Sequence, residues 1–372
     1  MIAAAVGLGA AQLGAGAVEV PFDRGIEEAC DVQAQDPGQF VDVALGDAHA
    51  GAVGCLSAYG VVQGKFVNGD NVYVPTAHVT RQQMATFVAL ALDRLPERVY
   101  ALPAAGGSPD FADAASISPA HRANVDRLRR AGIVAGYADG SFGPGEPIDR
   151  AQMASFIARA IEEATSETLE RADVFDDVRG EHRPSVEKLT AAGVVQGTSK
   201  SSYAPSTPTT RAQMATMIAR SLDLFVARGH LQPVASARGT ATPSLVITDV
   251  TTSAHDGFDR VTFALDDDAP AGWNVLYVDE ALAHGSGQAV EVDGAGILEV
   301  FLTGMTLPSD SDETPSETGR VEVGGAGVVE VLDQGVYERR HQFFIGTTGP
   351  VSFTVERESE PQRIHLDVEH GS

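Results

Sequence analysis

Ile148-Asp149-Arg150-Ala151-Gln152-Met153 recurs as Val79-Thr80-Arg81-Gln82-Gln83-Met84 and as Thr209-Thr210-Arg211-Ala212-Gln213-Met214. Each copy trails a proline by the same offset: Pro144 to Arg150, Pro75 to Arg81 and Pro205 to Arg211. A motif returning at one spacing marks an internal repeat, and the repeat decides the fold before any single residue does.

Working outward from the motif gives units at about residues 40–95, 111–164 and 175–226. They open Phe40-Val41-Asp42, Phe111-Ala112-Asp113 and Phe175-Asp176-Asp177. A first helix follows in each, with Val125 and Leu128 on one face in the second unit. It is expected to stop at Gly60, Gly132 or Gly193, the left-handed residue that ends many helices. A short β-branched segment (Ile133-Val134), a turn and an aromatic-x-Pro then lead into the motif. The second helix carries one apolar stripe, Met153, Phe156, Ile157, Ala160 and Ile161, at helical spacing. A unit of about 50 residues buries little core alone, so the units are expected to pack together.

Within the motif, Thr80, Asp149 and Thr210 occupy N-cap positions, with Gln83, Gln152 and Gln213 three residues later. That is a capping box, and it accounts for both residue types. It does not account for the arginine. Arg81, Arg150 and Arg211 fall at the first helical position, where the macrodipole disfavours a cation. Two readings stay open. An arginine beside the free amides of a helix start makes a carboxylate-binding site, or it pairs internally with Asp42, Asp113 or Asp177.

The three units resemble S-layer homology repeats, on the Phe-x-Asp opening, the Gly-Ile/Val-x-x-Gly middle, the aromatic-x-Pro and the Thr-Arg-Ala-Glu-like helix start, with Gln in place of Glu. The resemblance covers about 40–226. It implies an α-rich helical repeat trimer with pseudo-threefold symmetry inside one chain. It also implies binding of a pyruvylated secondary cell-wall polysaccharide in grooves between repeats, at Arg81, Arg150 and Arg211. Asp42, Asp113 and Asp177 match the family's opening aspartate, and Gly136 a glycine near the groove. Unit two has the fullest turn, Tyr137-Ala138-Asp139-Gly140-Ser141-Phe142, which favours the groove beside Arg150. Unit one carries an insert, Lys65 to Val72.

Residues 227–243 are rich in Gly, Pro, Ala and Thr and read as a linker. Residues 244–372 change period. Runs such as Arg260-Val261-Thr262-Phe263, Trp273-Asn274-Val275-Leu276-Tyr277-Val278 and Arg363-Ile364-His365-Leu366-Asp367-Val368 predict an all-β antiparallel sandwich or barrel. Residues 308–319 form an acidic loop. His255-Asp256-Gly257-Phe258-Asp259-Arg260, the Tyr277-Val278 strand and the terminal Arg363–Val368 run resemble AMIN-like domains over about 245–370. This resemblance implies a second envelope-binding module, for peptidoglycan or another wall component.

Composition limits the partners. The 372 residues carry 26 Lys and Arg against 51 Asp and Glu, a net charge of −25. Nucleic acid and acidic lipid surfaces are disfavoured partners. Residues 2–17 are apolar and small and end Ala15-Gly16-Ala17, like a secretory leader, although no Lys or Arg precedes them; the alternative is an Ala/Gly-rich arm. The expected order is a leader remnant (1–17), an arm (18–39), the units, the linker and the β-domain. No apolar run reaches the ~20 residues of a membrane span.

The two cysteines, Cys30 and Cys55, fit one disulfide in an exported protein, against a reading as unrelated thiols. No nucleophile elbow, His-Glu-x-x-His, phosphate loop or dinucleotide fingerprint occurs. Ser185-Val186-Glu187-Lys188 matches Ser-x-x-Lys, but it lies on a helix with core positions between. His49, His121 and His182 are repeat-equivalent and read as capping or packing residues. Asp266-Asp267-Asp268 lacks EF-hand spacing. The sequence therefore predicts no cofactor, no metal site and no catalysis. It predicts a non-enzymatic, secreted protein of the cell wall or cell surface, with an adaptor that recruits or regulates a wall hydrolase as the alternative.

Overall fold

The computed structural model describes residues 24–30, 34–237, 245–266, 271–284, 286–306, 319–321, 323, 325–337, 340–359 and 362–371. The apolar stretch 2–17, Asp267-Asp268 and residues 308–318 of the acidic loop lie outside them. Helices α1 (Ala50–Ala58) and α2 (Arg81–Leu92) belong to unit one, α3 (Pro119–Arg130) and α4 (Arg150–Thr165) to unit two, and α5 (Arg183–Ala191) and α6 (Arg211–Ala227) to unit three. Gly60, Gly132 and Gly193 take φ of +68°, +72° and +73°, a conformation in which a Cβ is strained. The chain then turns back on the helix: the amides of Val61, Ile133 and Val194 donate to the carbonyls of Leu56, Leu128 and Leu189 at 2.8, 3.0 and 2.9 Å. This satisfies helix-end carbonyls in each unit. It also explains why Ile133-Val134 is not a strand. The insert of unit one forms a hairpin of β1 (Lys65–Val67) and β2 (Asp70–Val72).

None of the first helices is long enough to be stable alone. Each packs on the second helix of the preceding unit, α3 on α2, α5 on α4, and α1 on α6. The repeat-equivalent histidines mark these contacts. Nδ1 of His121, His182 and His49 lies 2.8, 2.9 and 2.8 Å from the hydroxyls of Thr86, Ser155 and Thr216. The second helices converge, with Val88, Leu92, Ile157, Ile161, Ile218 and Leu222 around one small apolar gap. The cycle of contacts closes because unit one meets unit three.

The arm is anchored to that closure. Asp223 on α6 accepts from the amides of Glu28 and Ala29 and pairs with Arg24 at 3.0 Å. Cys30 and Cys55 are joined in a disulfide, both buried. The hydroxyl of Tyr59 bonds the carbonyls of Ala29 and Gln232.

The C-terminal part holds two antiparallel sheets. The first runs in the order β3 (Ala235–Ala237), β6 (Gly272–Val278), β7 (Gly296–Thr303), β10 (Arg340–Thr347), β9 (Val328–Tyr337) and β8 (Arg320–Val321). The second runs β11 (Phe353–Ser359), β12 (Gln362–Glu369), β5 (Phe258–Leu265) and β4 (Ile247–Ala254). Alternation decides the faces. Val261, Phe263 and Leu265 on β5 and Ile364, Leu366 and Val368 on β12 share one core with Val275, Val300 and Phe343 of the other sheet. Among the described residues neither sheet closes into a barrel. β3 lies inside the stretch read as a linker and adds an edge strand to the first sheet. Leu276 and Val278 of β6 pack with the helical core, and Asn274 donates to the Ala58 carbonyl at 3.0 Å. Among the described residues no helix is long and apolar enough to cross a membrane.

Candidate functional site

The motif forms a closed ring of backbone hydrogen bonds. The Val79 amide donates to the Thr209 carbonyl (3.0 Å), the Thr209 amide to the Ile148 carbonyl (2.9 Å) and the Ile148 amide to the Val79 carbonyl (2.9 Å). One step along, the amides of Arg81, Arg150 and Arg211 donate to the carbonyls of Glu146, Thr207 and Ala77 of the neighbouring unit. The next amides, of Gln82, Ala151 and Ala212, reach Pro144, Pro205 and Pro75. The capping box is formed at Thr80/Gln83, Asp149/Gln152 and Thr210/Gln213 and occupies the third amide. The helix starts therefore have no spare amides for an anion. The expectation that they would help bind one fails, because the adjoining unit already occupies them.

The arginine side chains follow the same cycle. Arg81 donates from Nε to the Phe142 carbonyl (2.7 Å) and from Nη2 to the Ala135 carbonyl (3.3 Å). Arg150 reaches Tyr203 (2.9 Å) and Gln196 (2.8 Å), and Arg211 reaches Tyr73 (2.8 Å) and Gln63 (3.4 Å). Each guanidinium also lies over an aromatic ring, at 5.0 Å from Phe142, 4.4 Å from Tyr203 and 4.5 Å from Tyr73. These carbonyls and rings offset the unfavourable position against the dipole.

Asp42, Asp113 and Asp177 do not pair with the arginines. Each clasps the turn of its own unit: Asp42 accepts from the amides of Tyr73 and Val74, Asp113 from Phe142 and Gly143, and Asp177 from Tyr203 and Ala204. The internal salt bridge left open by the sequence is therefore replaced by two linked contacts. The aspartate fixes a turn, and the arginine of the preceding unit grips its carbonyls. Burial raises the Asp177 carboxyl, but the bonds from Tyr203, Ser202 and Ala204 outweigh it and hold the group below the usual range.

Pairing across units also moves the best turn. The unit-two turn, 137–142, faces Arg81 and not Arg150; Arg150 faces unit three. In that first groove the Tyr137 ring sits 4.6 Å from the Arg81 guanidinium, and its hydroxyl donates to Glu146 at 2.8 Å. Arg81 is 4% exposed and Arg150 9%, whereas Arg211 is only half-buried. Burial pulls the Arg81 guanidinium below its ordinary pKa, against the opposing effect of Tyr137 and Glu146. The Tyr73 hydroxyl beside Arg211 is pushed up to about 12 by burial, with Arg211 acting the other way.

Gly136 follows Ala135, whose carbonyl accepts from Arg81. A Cβ at Gly136 would lie 2.6 Å from the Ser141 carbonyl oxygen and 3.0 Å from the Phe111 ring. The glycine is thus required by packing. Lys188 of the Ser-x-x-Lys run is ion-paired to Glu162 at 2.7 Å. The reading from sequence missed Tyr137 and Glu146 as groove residues. Only their places on either side of the aromatic-x-Pro, Phe142-Gly143-Pro144, signalled them, and the partner unit was not visible.

Comparison with known proteins assigns classes to the two parts. The S-layer homology domain model matches residues 110–154 and 174–215, and the AMIN-like domain model matches 245–370. A "Surface layer protein" of Brevibacillus choshinensis is 32% identical over 123 residues, which are 32% of this chain and 11% of that protein. The chain thus spans about a tenth of the length of this curated relative. S-layer homology domains are wall-anchoring modules of surface proteins, and these matches associate the chain with the cell surface or wall.

Proposed function

We propose that the chain is a non-enzymatic wall-anchored surface protein. Residues 40–95, 111–164 and 175–226 form a pseudo-threefold trimer of S-layer homology repeats. The inter-unit grooves bind a secondary cell-wall polysaccharide bearing carboxylates, such as pyruvyl ketals. The observation that carries this reading is the arginine geometry. Nε and Nη2 are held on carbonyls and a ring supports the guanidinium, so one cationic edge is held in fixed orientation in each groove. A fixed guanidinium edge suits a carboxylate.

Arg211 is the most accessible of the three and is the lead contact; Arg150 and Arg81 follow in that order. Asp42, Asp113, Asp177 and Gly136 shape the grooves by holding the turns. The β-domain is a sandwich that binds peptidoglycan or another wall component. Sedimentation with isolated walls tests the reading. Binding should be lost when the secondary polymer is stripped, and Arg211→Gln should weaken it more than Arg81→Gln. Undiminished binding to stripped walls overturns it.

A further inference from the structure

A cleft of about 480 Å³ lies at the seam between the helical units and the β-domain. That is the size of a small-ligand site, and such sites favour domain interfaces. One wall is the 93–98 turn after α2. The other is the end of β6 with Asp279 and Glu280, and the 294–299 run into β7. Leu276, Val278 and Leu231 supply apolar surface between them.

The polar groups of the cleft are incompletely used. Arg94 projects from the helical wall, and its Nε is buried without a hydrogen-bond partner. An unpaired buried donor of a charged group is costly unless something occupies it. Glu299 stands on the β wall, where one carboxylate oxygen accepts from Gln342 at 2.8 Å. Arg94 and Glu299 feel each other's charge but are not ion-paired. Burial raises the Glu299 carboxyl, against Gln342, Arg94 and Arg340. Asp93 is already paired with Arg127, which leaves Asp279, Glu280 and Glu299 against the guanidiniums of Arg94 and Arg98 around the cleft. That balance disfavours a multiply charged anion. It favours a ligand with one carboxylate and accompanying cationic or N–H donors.

We propose that this cleft binds the carboxylate-bearing end of a short, zwitterionic peptide, with Arg94 taking the carboxylate and Glu299 an ammonium. The inference rests on the wall-binding reading of the β-domain only for the source of such a peptide. The chemistry of the cleft stands without the glycan grooves.

The test is calorimetric titration of the full chain with three probes: the dipeptide lysyl-alanine, its C-terminal amide and its diacetylated form. Lysyl-alanine should bind. The amide should bind about ten- to a hundredfold more weakly, the loss expected for one charge-assisted contact. The diacetylated form should be weakened likewise, as should lysyl-alanine against Arg94→Gln and Glu299→Gln. The amide arm needs no variant, so the result does not depend on folding of a substituted chain. No binding of lysyl-alanine, equal binding of acid and amide, or unchanged affinity in Arg94→Gln each overturns the proposal. Wall sedimentation uses a different partner, so a failure there and a failure here are distinguishable.

Discussion

Arg150→Ala should destabilise the helical units before it says anything about ligand binding. The substitution removes two hydrogen bonds from a charged donor, to the carbonyls of Tyr203 at 2.9 Å and Gln196 at 2.8 Å. Each such bond contributes roughly 1.5–3 kcal/mol. It also removes a cation–π contact at 4.4 Å from the Tyr203 ring, an interaction of about 0.5–2 kcal/mol. Water entering the vacated space recovers part of the carbonyl solvation, so the net loss is about 3–5 kcal/mol. For a unit assembly of this size that corresponds to a fall in melting temperature of roughly 10 °C.

Two probes separate the parts of the chain. Far-ultraviolet circular dichroism in urea follows the helices, and fluorescence of the single tryptophan, Trp273 on β6, follows the β-domain. The helical transition should move to lower urea. The Trp273 transition should move less, through the shared contact at Leu276. Arg150→Lys should lose about half as much, since one ammonium cannot hold both carbonyls in the guanidinium fork. A loss under about 1 kcal/mol in Arg150→Ala, a small fraction of the sum above, refutes the claim that the arginine joins units two and three.

Other outcomes follow from the same geometry. Reducing the disulfide, or Cys30→Ser with Cys55→Ser, should cost about 3.5 kcal/mol in the chain-entropy model for the 25-residue separation, measured by urea unfolding with and without reductant. Gly136→Ala should lower the melting temperature, because its Cβ meets the Ser141 carbonyl oxygen at 2.6 Å; an unchanged melt would show that the turn gives way freely. For pH, burial raises the Asp259 carboxyl, but bonds from His370 and from the amides of Val328 and Gly327 outweigh it and depress its pKa. A depressed folded-state pKa contributes stability above the unfolded value of about 3.9, lost as pH falls through the folded value. Stability by Trp273 fluorescence should therefore fall below about pH 4, and Asp259→Asn should flatten that acid limb.

The local content of each unit was legible because local physics fixes it. The capping boxes, the Gly60, Gly132 and Gly193 stops and the apolar stripes of the second helices all arise from residues within a few positions of one another. The strands at Arg260–Phe263 and Arg363–Val368 were legible from alternation, whereas Ala235–Ala237 was not, being short, small and without alternation. What the sequence could not display is the partner of each arginine. Arg150 and Tyr203 lie 53 residues apart, and Arg211 and Tyr73 lie 138 apart. Pairing an arginine with the turn of its own unit was the natural inference, and the fold replaces it with the turn of the next.

That replacement changes what the motif is for. In a linear array, an arginine at the first helical position would face solvent at one end and find no carbonyls. Here the third unit's Arg211 returns to the Tyr73 and Gln63 carbonyls of the first, so the cycle has no unpartnered end. The amide ring through Val79, Ile148 and Thr209 closes in the same sense. The arm adds a covalent restraint on the side where chain connectivity is absent, because Cys30 ties to Cys55 on α1 while its neighbours hold Asp223 on α6. Removing the arm should therefore loosen the contact between units one and three before the other two. Amide exchange would show this as earlier loss of protection in α1 and α6 than in α3 and α4; equal loss in all four helices would mean that the arm is not what closes the ring.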